Sequence, residues 1–198
     1  MPTSDHLSAE LCARAARLIV DEGLDYASAK RRALREVGPQ AGRGAALPPN
    51  EQVEDAVREH LALFHADTQP RELAALRRLA LTWMDRLSGF RPYLGGAVWR
   101  GTGTRLSPIL IDLYCDDPKA AEIELIDQRI EFDPVGQADG PDLLRVDVRC
   151  AELGESAAIF LHILDRDDLR GGLKPDARGR TWRGDTPALQ RLLQAGAS

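Results

Sequence analysis

A turn rich in Gly and Thr carries the first side chains that could do chemistry. Gly101, Thr102, Thr104 and Arg105 stand together just before a strongly apolar segment. Such a turn exposes backbone N–H groups, and the two hydroxyls and the arginine beside them complete a donor set that suits phosphate. Gly and Thr also serve ordinary hairpin turns. The pattern therefore predicts either a phosphate cradle or a plain connection.

A second group of candidates lies further along the chain, where Arg178, Arg180, Trp182 and Arg183 stand in a loop that contains glycine. A guanidinium can fork onto phosphate, and an indole can stack on a nucleobase. These side chains predict a ligand-binding loop. The alternative is a surface loop whose tryptophan folds onto the body of the protein and whose arginines pair with nearby aspartates.

Composition argues against several function classes. The chain has 198 residues and a formal net charge of −5, so no global basic field favours nucleic acid as a partner. No apolar run approaches the roughly 18 to 20 residues that a membrane helix needs, so we expect no membrane partner. Cys12, Cys115 and Cys150 lie far apart, which is typical of buried thiols in a reducing cytoplasm. The four histidines add no zinc-ligand spacing.

Two helices near the N-terminus predict a helical hairpin. An apolar stripe indicates a helix over residues 6–22 that Gly23 ends, and Asp25 can cap a second helix that reaches Val37. Residues 38–49 are rich in Gly, Pro and Ala, which is typical of a linker. We therefore divide the chain into a hairpin with its linker, residues 1–48, and a core, residues 49–198. The hairpin could dock a protein partner.

The rest of the chain predicts an α+β fold. Asn50 is a suitable N-cap for one helix and Pro70 opens another, whose buried stripe is Leu73, Leu76, Ala80, Trp83 and Leu87. Four strands are expected after it, over residues 97–100, 108–115, 143–150 and 157–164. Helices are expected over residues 119–128 and 186–193. This order predicts a mixed, largely antiparallel sheet backed by helices.

Gly101-Thr102, followed by Ser107-Pro108-Ile109-Leu110-Ile111, resembles the signature of the polymerase-beta-like nucleotidyltransferase superfamily. In that superfamily a Gly-Ser or Gly-Thr turn leads into a strand that begins Ser-Asp-Ile-Asp-Leu. The order of helix and strands extends the likeness loosely over residues 70–164. The chain as a whole looks like a bacterial group of nucleotidyltransferase-like proteins. The resemblance implies a nucleotide ligand and divalent ions such as Mg²⁺.

At the positions where the superfamily has its metal-binding carboxylates, this sequence has other residues. Nucleotidyl transfer uses two divalent ions, held by carboxylates at i and i+2 of one strand and by a third from a neighbouring strand. The first two positions fall on Pro108 and Leu110, while Asp112 lies one step further along the same face. Asp147, on a later strand, could supply the third ligand. Asp112 and Asp147 can hold one Mg²⁺ or be two solvated strand residues.

The residues leave three hypotheses open for a cytoplasmic protein. The first is a degenerate nucleotidyltransferase-like protein, weak or inactive in catalysis, that binds a nucleotide or a partner. The second is an active metal-dependent nucleotidyltransferase that uses its carboxylates in an altered arrangement. The third is a protein-interaction module that docks a partner on its N-terminal helices and binds no small ligand.

Overall fold

A computed structural model of the chain describes residues 4–37, 46–136, 142–169, 175–176 and 178–196, and these form the predicted α+β fold. The α-helices in these ranges are α1 (Ser4–Glu22), α2 (Tyr26–Val37), α3 (Asn50–Phe64), α4 (Gln69–Arg86), α5 (Gly96–Arg100), α6 (Pro118–Asp127) and α7 (Thr186–Ala195). The strands are β1 (Tyr93–Gly95), β2 (Ile109–Cys115), β3 (Asp133–Pro134), β4 (Asp142–Cys150), β5 (Glu155–Asp165) and β6 (Gly184–Asp185). No helix in these ranges is both long and apolar enough to cross a membrane.

The chain forms two compact units, Met1–Gln69 and Pro70–Ser198. In the first unit, α1 and α2 make the predicted helical hairpin. Gly23 ends α1 with a φ of 71°, a backbone conformation that glycine adopts without strain. Asp25 then caps α2, since its Oδ1 accepts the backbone N–H of Ser28 at 2.9 Å.

Helix α3 belongs to the same unit because its apolar stripe packs into the core that α1 and α2 share. Val53, Val57 and Leu61 are buried in that core. The unit boundary after α3 therefore differs from the one placed by sequence at residues 38–49, of which residues 38–45 lie outside the described residues. Asn50 was expected to be an N-cap, but it is the first helical residue, and its Oδ1 accepts a hydrogen bond from Lys30 Nζ at 2.7 Å.

The second unit is built on a six-stranded mixed sheet with the order β3-β4-β5-β2-β1-β6. Among the described pairs, β2 and β5 alone run parallel, with Asp112 opposite His162. The hairpin of β4 and β5 is antiparallel, as predicted, and turns at Gly154, which has a φ of 72°. Because successive side chains of a strand point to opposite faces, Ile109, Ile111 and Leu113 face the core while Asp112 faces the other side.

Helix α4 covers the apolar face of the sheet with the stripe that the sequence predicts. The buried residues of this stripe are Leu73, Leu76, Ala80 and Trp83 of α4, together with Leu87, which directly follows the helix. Helix α6 adds Ala121 and Leu125, and begins where Asp117 Oδ1 accepts the N–H of Lys119 at 2.9 Å. The strand predicted over residues 97–100 is wrong: these residues lie in α5, and the strand is Tyr93–Gly95 instead.

Candidate functional site

The two predicted metal ligands lie far apart. Asp112 is opposite His162 on β5, whereas Asp147 is opposite Ala158 on the same strand. Two strand spacings of about 4.8 Å and four residues of about 3.3 Å put the two aspartate Cα atoms roughly 16 Å apart. Asp147 instead pairs with Arg145, whose Nη2 lies 3.0 Å from Oδ1. The structure does not bring the two acids to one metal ion, whose ligands must lie about 2.1 to 2.6 Å away.

Asp112 is the buried centre of a charged cluster, with only 4% of the residue exposed. The Nε–H of Arg183 donates to its Oδ2, and Nδ1 of His162 lies 3.2 Å from its Oδ1. An ionised carboxylate can only accept, so this contact requires that Nδ1 of His162 carries a proton and donates it. Burial of the acid is tolerated because both of its oxygens have donors.

A row of polar side chains crosses the sheet at this level. His162, Asp112, Tyr93 and Asp185 are successive register partners on four neighbouring strands, and register partners point to the same face. The pKa of Tyr93 is raised, mainly by burial and to a smaller extent by the negative charge of Asp185. The pKa of Tyr114 is raised in the same way, mainly by burial and then by the negative charge of Asp112. Both phenols therefore remain protonated near neutral pH.

The Gly-Thr turn serves as an internal connection in this structure. Its backbone N–H groups donate within the protein, from Gly101 and Thr102 to Ala97 O, from Thr104 to Ser107 Oγ and from Arg105 to Glu72 Oε2. Thr102 and Thr104 are 3% and 5% exposed. The predicted phosphate donors are thus occupied or buried, and the carboxylate of Glu72 would repel a phosphate placed there.

The predicted ligand loop is organised by Asp176, whose side chain is 3% exposed. Its Oδ1 accepts the backbone N–H groups of Arg178 and Arg180 at 2.9 Å each, and its Oδ2 lies 3.2 Å from Nη1 of Arg100 in α5. These hydrogen bonds, above all the one from the Arg180 backbone, hold the pKa of the Asp176 carboxyl below its usual value. The loop is therefore anchored on α5.

Both tryptophans of this region help to hold the loop. The guanidinium of Arg100 lies 4.3 Å from the ring centroid of Trp182, of which 38% remains exposed. Trp99 Nε1 donates to the carbonyl of Thr181 at 3.0 Å. The ring of Trp99 also covers Gly184, where an added Cβ would lie 1.9 Å from it. This packing carries Arg183 to Asp112, so the loop contributes a cation to the cluster.

An open cleft of 490 Å³ lies beside the cluster on the same face of the sheet. Phe160 forms part of its wall and precedes His162 by two residues on that face. The charged side chains of the lining form two exposed ion pairs, Arg105 with Glu155 and Arg145 with Asp147. Arg105, which was predicted to bind phosphate, and Asp147, which was predicted to bind a metal ion, therefore line the same cleft.

Three side chains of the first unit form a group that could hold a metal ion, and the sequence did not predict this group. The ligand atoms of Asp21, His60 and His65 all lie within 4.8 Å of one another. The group was missed because 39 and 44 residues separate Asp21 from the two histidines, and because no cysteine pair accompanies the histidines as in zinc fingers. The only available signal was a pair of histidines at the end of one helix.

In comparisons with known proteins, neither a family model nor a curated protein matches this chain. The resemblance to nucleotidyltransferases therefore stays a prediction from residues 101–111.

Proposed function

We propose that the Pro70–Ser198 unit binds a nucleotide without a metal ion, on the sheet face that carries Asp112. The contact between Arg183 and Asp112 carries this proposal. A guanidinium stands where a metal ion would otherwise neutralise the carboxylate, so the cluster already contains a cation suited to phosphate. Arg183 uses its Nε–H for Asp112 and has four more N–H donors on its Nη atoms. One third of its side chain is exposed, 33%.

Two-ion catalysis is disfavoured by the neighbours of Asp112. On the same face of β2, the residues two positions away are Leu110 and Tyr114, and neither offers a carboxylate. Mg²⁺ would have to displace Arg183 and would then find one carboxylate instead of the two or three that such a site uses. The degenerate nucleotidyltransferase-like hypothesis is therefore favoured over the active metal-dependent one.

A nucleotide suits this face because an aromatic wall adjoins the cluster that contains Arg183. Phe160 and His162 are two residues apart on one face of β5, a separation of about 7 Å. The volume of the cleft, 490 Å³, falls within the usual range for small-molecule sites, about 300 to 1,000 Å³. A ligand that reaches both places needs a stacking group and an anionic group, which are the two parts of a nucleotide.

The proposal is tested by calorimetric titration of the protein with ATP, GTP, CTP and UTP, each in EDTA and in excess Mg²⁺. We expect at least one nucleotide to bind with equal affinity in both conditions. Binding that requires Mg²⁺ would support the active metal-dependent hypothesis instead. No binding in either condition would remove the nucleotide and leave the interaction-module hypothesis as the remaining one.

Matched variants locate the ligand. Arg145→Met removes a cation from the cleft, whereas Arg149→Met removes one from the same strand and face outside the lining. If Arg145 contacts phosphate, its loss weakens nucleotide binding by about 10- to 100-fold, which is the usual cost of a hydrogen bond to a charged group. Arg149→Met should leave the affinity within about twofold. Equal effects of both variants would argue against the cleft.

A further inference from the structure

We propose that Asp21, His60 and His65 form a binding site for a divalent transition-metal ion, with Zn²⁺ as its best occupant. Oδ1 of Asp21 lies 3.3 Å from Nε2 of His60 and 3.2 Å from Nε2 of His65. In a tetrahedral zinc site with bonds of about 2.0 to 2.1 Å, neighbouring ligand atoms are about 3.3 Å apart. Two of the three distances therefore match a tetrahedral site, and since all three ligand atoms lie within 4.8 Å of one another, a small adjustment of the imidazoles would bring them to one ion. This site is independent of the nucleotide proposal.

The helices bring these ligands together through their ends. Ser8 Oγ, near the start of α1, donates to Gln52 Oε1, near the start of α3. Because Asp21 meets His60 and His65 at the other end, α1 and α3 run parallel and both finish at this site.

The backbone of His65 explains how two histidines five residues apart converge at the end of one helix. Two residues five apart on a continuous helix point about 140° away from each other. His65 is the C-cap of α3, with φ −131° and ψ 18°, so its backbone leaves the helical path. Its ring centroid consequently lies 5.7 Å from that of His60. The end of α3, rather than its regular turns, sets the ligand geometry.

The electrostatics of the helix ends also favour a cation here. A helix carries a partial negative charge at its C-terminus, and neither α1 nor α3 has a basic residue in its last turn. Asp21 adds a full negative charge. The neighbouring acid, Glu22, is engaged by Arg32 of α2. Two parallel helix ends and one carboxylate thus concentrate negative potential at the point where the two imidazoles converge.

The ligand types select the metal. Imidazole nitrogen suits Zn²⁺ and its neighbours in the first transition series, whereas Mg²⁺ and Ca²⁺ prefer sets made of oxygen. The side chains of Asp21 and His65 are 41% and 34% exposed, so an ion and its water can reach them. Three protein ligands leave a fourth position to water, as in open zinc sites. We expect a moderate affinity because exposed ligands must be ordered on binding.

The test is a titration of the full-length, tag-free and metal-free protein with Co²⁺, followed by displacement with Zn²⁺. A tetrahedral site with nitrogen ligands gives intense visible ligand-field bands for Co²⁺, and we expect these at one equivalent and their loss on adding Zn²⁺. Absence of the bands, together with no calorimetric signal for Zn²⁺, would overturn the proposal.

Ligand variants separate this site from surface binding. His60→Gln and His65→Gln should each raise the dissociation constant for Zn²⁺ by at least about 100-fold, since even an outer partner of a ligand is worth 10- to 100-fold. The matched control is His6→Gln, an exposed histidine elsewhere in α1, which should leave the constant unchanged. Circular dichroism establishes that every variant keeps its helices. Unchanged affinity in both ligand variants would contradict the site.

Discussion

Asp112 and Asp147 are the same residue type on two strands that flank β5, yet their surroundings give them different chemistry. Asp147 is half exposed, with 50% of its side chain accessible, and its ion pair with Arg145 is solvated. Asp112 is buried, so its two oxygens must be satisfied by Arg183 and His162. An exposed ion pair contributes little to stability, whereas a buried carboxylate depends strongly on its partner.

We predict that Arg183→Met lowers the free energy of unfolding by about 2 to 3 kcal/mol. Breaking a fully buried pair costs about 3 to 5 kcal/mol, and the partial exposure of Arg183 reduces that value. The double variant D112L/R183M should recover most of the loss because no unpaired charge remains. Urea denaturation measures both, with Arg145→Met as a control that changes stability by less than about 1 kcal/mol. A double variant as unstable as R183M would argue against the buried pair.

Asp176 should make the stability of the protein depend on acidic pH. Its folded pKa is lowered by the backbone N–H of Arg180 and further donors. Its contribution is therefore complete above the unfolded pKa, about 3.9, and is lost as the pH falls through the lower folded pKa.

The matching measurement compares urea denaturation of the wild type and of Asp176→Asn from about pH 7 down to pH 3. We expect the wild type to be more stable by a constant amount above about pH 5, and the difference to shrink in acid. A difference that stays constant down to the lowest pH would contradict the role of the Asp176 carboxylate.

At the level of elements, the fit of α5 against β6 fixes the position of the loop between residues 178 and 183. Trp99 of α5 lies directly on Gly184, the first residue of β6, and its indole N–H holds Thr181. A side chain at position 184 would therefore push the indole away.

Gly184→Ala should lower the free energy of unfolding by about 1 to 3 kcal/mol, the usual cost of overpacking. An added Cβ would lie 1.9 to 2.4 Å from three atoms of the Trp99 ring. Gly89→Ala is the matched control, because nothing lies within 4 Å of a Cβ there. Urea denaturation followed by tryptophan fluorescence measures both variants. Equal losses would show that the contact with Trp99 is not the cause.

Sequence patterns predicted the long elements well and the short one poorly. Helix α4, strand β2 and the β4–β5 hairpin follow from apolar periodicity over seven or more residues. Residues 97–100 were expected to form a strand, but they belong to α5, which lies between Gly96 and Gly101, with φ of 63° and 86°. Four or five apolar residues do not distinguish the two periods.

The candidate sites were harder to predict because their members are distant in sequence. Arg183 reaches Asp112 across 71 residues, and no local pattern reports such a pairing. A buried Asp112 was not expected either, because an isolated acid in a strand is usually solvated and its partner Arg183 is distant in sequence. The Asp21, His60 and His65 group depends on a helix end as well as on distance.

For the whole molecule, the main finding is that two separate cores support two compact units. The first core is formed by residues between Leu7 and Leu61, and the second by residues between Leu73 and Leu193. Because each unit buries its own apolar surface, we expect each to be stable without the other.

A fragment that begins at residue 70 should therefore fold better than one that begins at residue 49. The longer fragment keeps α3 but lacks α1. This loss exposes Val53, Val57 and Leu61, which are only 0%, 0% and 6% exposed in the full chain. We expect it to bind an apolar dye more strongly and to associate in solution. Dye fluorescence and light scattering compare the two. A well-behaved 49–198 fragment beside an aggregating 70–198 fragment would place the boundary at the earlier site.

The distance along the chain between Asp112 and Arg183 also has a consequence during protein synthesis. Arg183 is added 71 residues after Asp112, which takes roughly 4 to 14 s at about 5 to 20 residues per second. Throughout that interval the nascent chain contains the residues of β2 but not the cation that makes burial of Asp112 tolerable in the folded protein. We therefore expect the carboxylate of Asp112 to stay hydrated until Arg183 has been synthesised and can fold onto it.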